Sequence, residues 1–340
     1  MKKQIKVLAL ILVLALVLCS CGKSDEIGFA DGLDDYGYFK GIKATDYVTL
    51  GKFDTIELNQ SEIDAAILEL CTDYGNETEV NDRAVVDGDK FYFDFVGKMD
   101  GVAFENGSAE NATGDLRNNT YIPGLLEGVI GHYPGETFDV DVTFPETYSN
   151  NPDLAGKAAT FTITLNTVVD RTPAEFTDEF VSTHFASSGY NTAQDIRDFF
   201  KLQLLEVYIM SNATVNEIPE VAQTWAEHVA VKSNQLYAKN YYQVEEITFL
   251  KQQYGVETEE EFLEAYASQV TQEAQTAVMF QAIAESEGIK ISDDDAKAYD
   301  TGSEGGTYEN YVETFGLPYY KMMIMQDKIM DKLLERAVLK

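Results

Sequence analysis

The sequence has few of the residues that bind metals or form disulfides. Its 340 residues include three His and three Cys. Two of the cysteines, Cys19 and Cys21, lie close to the N-terminus, so Cys71 is the only thiol in the remainder of the sequence. Zinc and iron–sulfur sites need clusters of such ligands. We therefore predict no metal, no cofactor and no internal disulfide.

Basic residues are also scarce. The sequence has 25 Lys and Arg against 58 Asp and Glu, which gives a formal net charge of −33. The only basic run, Lys2, Lys3 and Lys6, lies at the extreme N-terminus. A negative field of this strength repels phosphate backbones. We therefore predict no nucleic-acid partner.

Common catalytic motifs are absent as well. The sequence contains no Gly-x-Ser-x-Gly, no His-Glu-x-x-His, no phosphate-binding loop and no Cys-x-x-Cys. The three histidines, His132, His184 and His228, are widely separated, and we interpret them as surface or packing residues. The apolar content of 45% and aromatic content of 12% are nevertheless sufficient for folded cores, and the length favours two or three domains.

The N-terminus has the pattern of an export signal. Three lysines precede twelve apolar residues, 7–18, a run shorter than the ~20 residues that a membrane-spanning helix needs. Leu18, Ser20 and Cys21 then resemble a bacterial lipobox. This predicts a signal peptide at 1–20, a lipid on Cys21 (with palmitate among its acyl chains) and an extracytoplasmic protein anchored to the bacterial membrane. An uncleaved anchor and lipidation of Cys19 are the alternatives.

Composition and periodicity divide the rest of the chain. Residues 21–38 are acidic and punctuated by Gly, which predicts a flexible tether to the membrane. Residues 39–82 form a short segment with one helix, for which Ser61 and Asp64 predict an N-terminal capping box.

Alternating apolar residues then predict antiparallel strands within a domain at 83–170. The alternation covers 91–101, 137–144 and 159–169, and Phe, Val and Thr are frequent in these segments. A single short helix that ends at Gly131 lies between the first two segments. We predict a β half-barrel with one short helix, and therefore an α+β fold for the whole chain.

Residues 171–340 change to the period of helices, which predicts an all-α second domain. Its last helix begins at Pro318 and carries a methionine stripe of Met322, Met323, Met325 and Met330. The stripe, together with several tyrosines, suits either a surface that accepts varied apolar partners or the core of the domain itself. The sequence leaves these two interpretations open.

Three segments of the predicted half-barrel resemble a known family. They read GDKFYFDFVGKMDGVAFENG, YIPGLLEGVIGHYPGETFDVDVTFPETY and LAGKAATFTITLNTV. Their order and spacing resemble the FKBP-type peptidyl-prolyl cis-trans isomerase domain in the form found in the trigger factor family. The helical segment that follows is similar to the C-terminal chaperone domain of that family. Residues 22–82 are too short for the family's ribosome-docking module, so we expect no ribosome binding.

The resemblance implies a peptidyl-prolyl cis-trans isomerase and folding chaperone for secreted or cell-surface proteins. Its partners would be unfolded or nascent secreted polypeptides with X-Pro bonds, and the oligomeric state stays open. Such an enzyme needs an apolar pocket and a hydrogen-bond donor but no nucleophile or base, since no covalent bond is broken. The resemblance places seven residues in this pocket: Phe95, Phe104, Glu105, Ile122, Leu125, Tyr148 and Phe161.

Within that set, Ile122 would offer its backbone N–H to the substrate carbonyl, and Tyr148 would supply a wall. Two positions depart from the family: Leu125 stands where an aromatic base is usual, and Ala112 stands where another aromatic wall is expected. The loss of two rings predicts weak turnover. A non-catalytic holdase with a degenerate FKBP domain is the alternative, and a solute-binding lipoprotein fits the anchor but not the predicted sheet.

Overall fold

The computed structural model describes residues 28–148, 151–299 and 307–340. The chain divides into two compact units. We call residues 65–184 the sheet unit, and we call the residues up to 64 together with 185–340 the helical unit. The predicted signal peptide and the lipid site at Cys21 lie outside the described residues.

The bounds of these units differ from the predicted domain boundaries at 82 and 170. The first boundary falls at residues 64 and 65, within the helix α1 (Gln60–Asp73). The second falls at the end of α2 (Asp178–Phe185). The segment 39–82 is therefore not a separate part of the fold, because its first half packs in the helical unit.

The N-terminal part of the helical unit contains β1 (Val48–Leu50) and β2 (Ile56–Leu58), which precede α1. The predicted capping box of Ser61 and Asp64 is wrong, because the helix is capped two residues before Ser61. The backbone N–H of Ser61 donates to Asn59 Oδ1 at 3.0 Å, and Asn59 Nδ2 donates to Glu62 Oε1 at 3.1 Å.

The predicted tether is wrong for residues 28–38, because this segment is buried in the helical unit. Phe29, Leu33 and Phe39 are at most 1% exposed and belong to the main core of the helical unit. Their spacing follows neither a strand nor a helix period. The glycines and acids around them are typical of linkers, which is why the sequence predicted a tether. Residues 21–27 of the predicted tether lie outside the described residues.

Buried hydrogen bonds attach the same segment to the helices. Trp225 Nε1 donates to the carbonyl of Phe29 at 3.1 Å, and the N–H of Phe39 donates to Gln281 Oε1 at 2.7 Å. The buried ammonium of Lys321 donates to the carbonyl of Asp35 at 2.6 Å. Because these groups are removed from water, losing one partner would leave the other unsatisfied.

The sheet unit is built on one antiparallel sheet, as the alternation predicts. Its strands are β3 (Asn76–Val80), β4 (Lys90–Met99), β5 (Val102–Asp115), β6 (Thr137–Thr143) and β7 (Ala158–Thr172). The strand order is β3-β7-β4-β5, and β6 also pairs with β7. Phe91, Phe93, Ile163 and Leu165 are fully buried on the inner face.

Strand β3 was not predicted, and two further parts of the sheet unit differ from the predictions. Strand β5 was missed, because its polar sequence carries no clear alternation and its backbone is irregular at Asn106 and Asn111, with φ of 60° and 49°. The predicted helix before Gly131 is reduced to the single 3₁₀ turn Glu127–Val129. Gly124 and Gly131, with φ of 91° and 92°, end helical geometry on both sides of that turn.

The rest of the helical unit is a set of helices with two short two-stranded sheets. Strand β8 (Ala213–Val215) pairs with β1, and β9 (Ala337–Leu339) pairs with β2, so the expectation of an all-α domain omits these sheets. No helix in the described part of the chain is both long and apolar enough to cross a membrane. The helices are α3 (Ala193–Asn212), α4 (Glu220–Tyr237), α5 (Glu246–Tyr254), α6 (Glu259–Ala265), α7 (Ala267–Glu287), α8 (Asp293–Ala298), α9 (Tyr308–Phe315) and α10 (Leu317–Leu334).

The structure decides between the two interpretations of the methionine stripe on α10. Met322 and Met325 are fully buried, Met330 is 3% exposed, and Met323 packs partly buried against the same core. Tyr319 and Tyr320 are buried beside them. The stripe is therefore the core of the helical unit rather than a partner surface.

The burial of the N-terminal segment leads to a first prediction. We expect Phe29→Ala to lower the free energy of unfolding of the helical unit by about 3–5 kcal/mol, because it leaves a cavity in a packed core. Urea unfolding followed by the fluorescence of Trp225, the single tryptophan, measures this change. Tyr36→Ala is the matched control, since Tyr36 lies in the same segment but is 43% exposed. Equal transition midpoints for both variants would show that the segment is a free tether after all.

Candidate functional site

The sheet unit contains a cavity of about 400 Å³. Its lining comes from β4, β5, β7 and the two loops that flank β6. All seven residues predicted from the sequence line this cavity, namely Phe95, Phe104, Glu105, Ile122, Leu125, Tyr148 and Phe161. The fold therefore brings together positions that are up to 66 residues apart in the sequence.

Phe95 and Phe161 form one wall. Phe95 lies on β4 and Phe161 on β7, and the pairing of these strands places the two ring centroids 5.8 Å apart. Phe161 is 4% exposed, whereas Phe95 is half-buried. Phe161 therefore supports the wall and Phe95 forms more of its accessible surface.

Phe104 is held in place by close approach to two glycines. A Cβ on Gly107 would lie 2.4 Å from the Phe104 ring, and a Cβ on Gly97 would lie 2.7 Å from it. Neither distance is tolerated, so only glycine fits at these two positions unless the ring moves. The Phe104 ring also meets Phe161 edge-on, with centroids 5.9 Å apart and an interplanar angle of 86°. This packing fixes the direction of the ring into the cavity.

Glu105 lies at the rim of the cavity. Its side chain is exposed, and none of the described residues forms a hydrogen bond or an ion pair with its carboxylate. A solvated carboxylate at the edge can attract or orient a polar part of a guest. It is not placed to transfer a proton inside the apolar cavity.

Ile122 and Leu125 lie in a tight loop that is fixed by hydrogen bonds. Leu125 N donates to the carbonyl of Ile122 at 3.2 Å, and Gly124 N donates to Glu127 Oε2 at 2.9 Å. Asn119 Nδ2 donates to the other oxygen of Glu127 at 3.0 Å. Nothing among the described residues accepts a hydrogen bond from the N–H of Ile122. The loop therefore presents a free donor in a fixed position.

Tyr148 completes the wall on the side of the loop after β6. Its ring centroid lies 5.0 Å from that of Phe144, which is 4% exposed and also lines the cavity. Phe144 in turn lies 6.0 Å from Phe104. These rings close a continuous aromatic surface around the cavity.

Two aromatic residues of the lining were missed in the sequence analysis. Tyr121 lies 6.2 Å from Phe95 with the rings nearly perpendicular, and Phe144 packs behind Tyr148. Both lie inside quoted segments, directly before Ile122-Pro123-Gly124 and at the start of FPETY. An aromatic residue adjacent to a conspicuous loop was the signal that could have identified them.

The structure also places the two positions that depart from the family pattern. Ala112 pairs with Phe93 across the sheet and does not line the cavity. Its small side chain therefore removes no wall of the cavity. Leu125 is 2% exposed and does line the cavity. The base of the cavity is therefore apolar but not aromatic, and Tyr121 supplies a ring beside it.

The cavity has no group suited to acid, base or nucleophilic catalysis. Its described lining contains no His, Cys, Lys or Arg. Its ionisable groups are the exposed Glu105 and the hydroxyls of Tyr121 and Tyr148. Burial raises the pKa of Tyr121, whose hydroxyl donates to the carbonyl of Thr113 at 3.1 Å. The arrangement can enclose an apolar group and hydrogen-bond a carbonyl.

Comparison with known proteins agrees with this geometry. Residues 81–166 match the family model of FKBP-type peptidyl-prolyl cis-trans isomerases. The chain is 27% identical over 315 residues to trigger factor of Halothermothrix orenii, with 86% of this chain and 72% of the relative covered. Trigger factor of Carboxydothermus hydrogenoformans is 26% identical, with 89% and 72% covered.

Similarity is higher over a shorter segment. Trigger factor of Haemophilus ducreyi is 43% identical over 126 residues, with 37% of this chain and 29% of the relative covered. A solved structure of the trigger factor chaperone, from work on promiscuous substrate recognition in folding and assembly, has 15% identity and a TM-score of 0.29 over 85% of this chain and 72% of that one. The chain is similar to trigger factors over most of its length, and its residues 81–166 match the FKBP-type peptidyl-prolyl cis-trans isomerases.

Proposed function

We propose that the chain is a peptidyl-prolyl cis-trans isomerase and folding chaperone that acts on secreted or cell-surface polypeptides. The similarity to FKBP-type isomerases and to trigger factors supports the isomerase and chaperone classes. That the clients are extracytoplasmic is our own addition to this proposal. One observation carries the proposal: a single apolar cavity collects all seven predicted residues around the free N–H of Ile122.

The cavity suits the physical chemistry of proline isomerisation. An X-Pro amide must lose its resonance to rotate, against a barrier of ~18–20 kcal/mol, and the twisted amide is less polar than the planar one. The rings of Phe95, Phe104 and Phe161 remove water from the amide, which favours the less polar twisted state. The N–H of Ile122 donates to the substrate carbonyl oxygen and holds it while the C–N bond turns.

This mechanism explains why an enzyme can have so little catalytic chemistry. No bond to carbon is made or broken, so no proton has to be moved and no covalent intermediate forms. The rate depends on the shape and dryness of the cavity instead. Since Leu125 provides less contact than an aromatic base would, we expect turnover below that of family members with a ring at this position.

The main test is a refolding assay limited by proline isomerisation. The purified chain without residues 1–20 should accelerate the slow phase of a client that has no other slow step. Tyr148→Ala and Phe104→Ala should each reduce this acceleration, because each removes a wall of the cavity. Tyr133→Ala is the control: this tyrosine lies in the same unit, is 51% exposed and does not line the cavity. No acceleration by the unsubstituted protein would favour the non-catalytic alternative.

A second test uses the close packing of Phe104. Gly107→Ala should push the ring out of position and lower the acceleration by about tenfold or more, because small misplacements of an active-site group are costly. Ser108→Ala, at the exposed neighbouring position, should keep full activity. Near-ultraviolet circular dichroism checks that both variants stay folded. Full activity of folded Gly107→Ala would exclude Phe104 from the mechanism.

We further propose that the protein is exported and held at the membrane by a lipid on Cys21. The support is the sequence of residues 1–21, in which a basic start and twelve apolar residues precede Leu18, Ser20 and Cys21. The net charge of −33 supplies no basic surface for anionic lipid, so the lipid itself would be the attachment. The same charge argues against docking on ribosomal RNA.

Labelling with radioactive palmitate tests this attachment. Cys21→Ser should abolish the label and release the protein from the membrane fraction. Cys19→Ser should keep both, since Leu18 is a poor residue before the modified cysteine. The ribosome fraction of the same cells should lack the protein. Equal labelling of Cys21→Ser and the unsubstituted protein would refute the assignment of the lipid to Cys21.

A further inference from the structure

The helical unit contains a cavity of about 490 Å³ that shares no lining residue with the cavity of the sheet unit. It lies among α4, α5, α6, α7 and the π-helical turn Ala238–Tyr242. Six aromatic side chains line it: Tyr237, Tyr242, Phe249, Tyr254, Phe262 and Tyr266. π-Helical turns are rare and are frequently found at functional sites, which directs attention to this place.

The aromatic side chains form a connected set. The ring centroid of Tyr254 lies 5.0 Å from that of Phe262 and 5.1 Å from that of Tyr266. Tyr242 lies 5.0 Å from Phe249 on the other side. The faces of aromatic rings carry negative potential and attract cations as well as apolar groups.

Glu273 is the one charged residue in the described lining of this cavity. None of the described residues forms a hydrogen bond or an ion pair with its carboxylate. Burial raises the pKa of Glu273 to about 7. The Glu273 side chain is partly buried, and a carboxylate that loses part of its hydration without gaining a partner favours a cationic guest.

Two further polar groups in the lining are unsatisfied. Ser233 Oγ and Asn234 Nδ2 are buried and form no hydrogen bond, while Asn234 Oδ1 accepts from the hydroxyl of Tyr254 at 3.2 Å. Ser233 and Asn234 are 3% and 5% exposed. A guest that offers an N–H donor and a carbonyl oxygen would satisfy both groups, and a polypeptide carries both.

We propose that this cavity binds the side chain of a lysine in an unfolded polypeptide, with the ammonium paired to Glu273 and the aliphatic stem between the aromatic rings. The stem of lysine is apolar and its head is charged, which matches an aromatic cavity with one carboxylate at its lining. The inference rests on the proposed chaperone function and adds the kind of side chain that the helical unit selects.

The test compares two short proline-free peptides that differ only in lysine or norleucine at one position. Calorimetric titration of the purified protein should show the lysine peptide binding about tenfold more tightly, because a charge-assisted hydrogen bond replaces an apolar contact. Glu273→Gln should remove this preference. Glu264→Gln, an exposed glutamate on α6 outside the cavity, should retain it.

The pH dependence gives a readout that a structural role of Glu273 would not produce. A lysine ammonium, with a pKa of ~10.4, stays charged while Glu273 ionises. The affinity of the lysine peptide for the protein should therefore rise from pH 6 to pH 8. The affinity of the norleucine peptide should not rise. The Tyr319 hydroxyl also faces Glu273. On the helices that line the cavity, Glu246 lies near Glu259 and Lys232. Burial raises the pKa of Glu246 to about 7 as well. If Glu273 causes the rise in affinity with pH, Glu273→Gln alone removes that rise.

The contrary outcomes are separable. Equal binding of the two peptides, or a lysine preference that survives Glu273→Gln, overturns the inference even if the protein accelerates refolding. Binding of free n-butylamine as tight as that of the lysine peptide would overturn the polypeptide as the source of the ammonium. A lysine preference that depends on Glu273, in a protein that neither accelerates refolding nor prevents aggregation, would instead refute the proposed function.

Discussion

Backbone hydrogen bonds along β7 hold the sheet unit together, because this single strand of 15 residues pairs with β3, β4 and β6. Its pairing with β4 sets Phe161 beside Phe95, and its pairing with β6 fixes where the following loop delivers Tyr148. A slip of one residue would turn every inner side chain outward. Strand register therefore fixes the position of the cavity, and the side chains then determine its lining.

The cavity of the sheet unit and the cavity lined by Glu273 use opposite chemistry. The described lining of the sheet-unit cavity has no buried carboxyl, and the N–H of Ile122 is held there in a fixed position. A reaction that only rotates an amide needs no more than this. The cavity of the helical unit holds an unpartnered carboxyl, Glu273, among aromatic rings. A partly buried carboxylate among aromatic rings suits recognition of a charge better than it suits packing.

The acidic segment at the start of the described chain shows how packing can override composition. Gly and Asp are frequent there, as in linkers, yet Phe29, Leu33 and Phe39 are fully buried. Three large apolar side chains supply enough burial to order the segment, although they follow no regular period. The acids between them stay at the surface, where their hydration is kept. Local composition could not reveal this, because the partners of these rings lie about 200 or more residues further along the chain, at Trp225 and Phe315.

The sequence by itself predicted the strands β4, β6 and β7, the helical character of residues 171–340 and seven residues that line the cavity of the sheet unit, since alternation, helical period and the distinctive segments around Ile122 and Tyr148 are local signals. Only the tertiary structure decided the rest. It showed that Ala112 lies outside the cavity, that the methionines of α10 are core, and that Tyr121 and Phe144 line the site. It also brought Glu273 to the aromatic residues of α5 and α6. These facts depend on register and on contacts between residues distant in sequence, which no local pattern encodes.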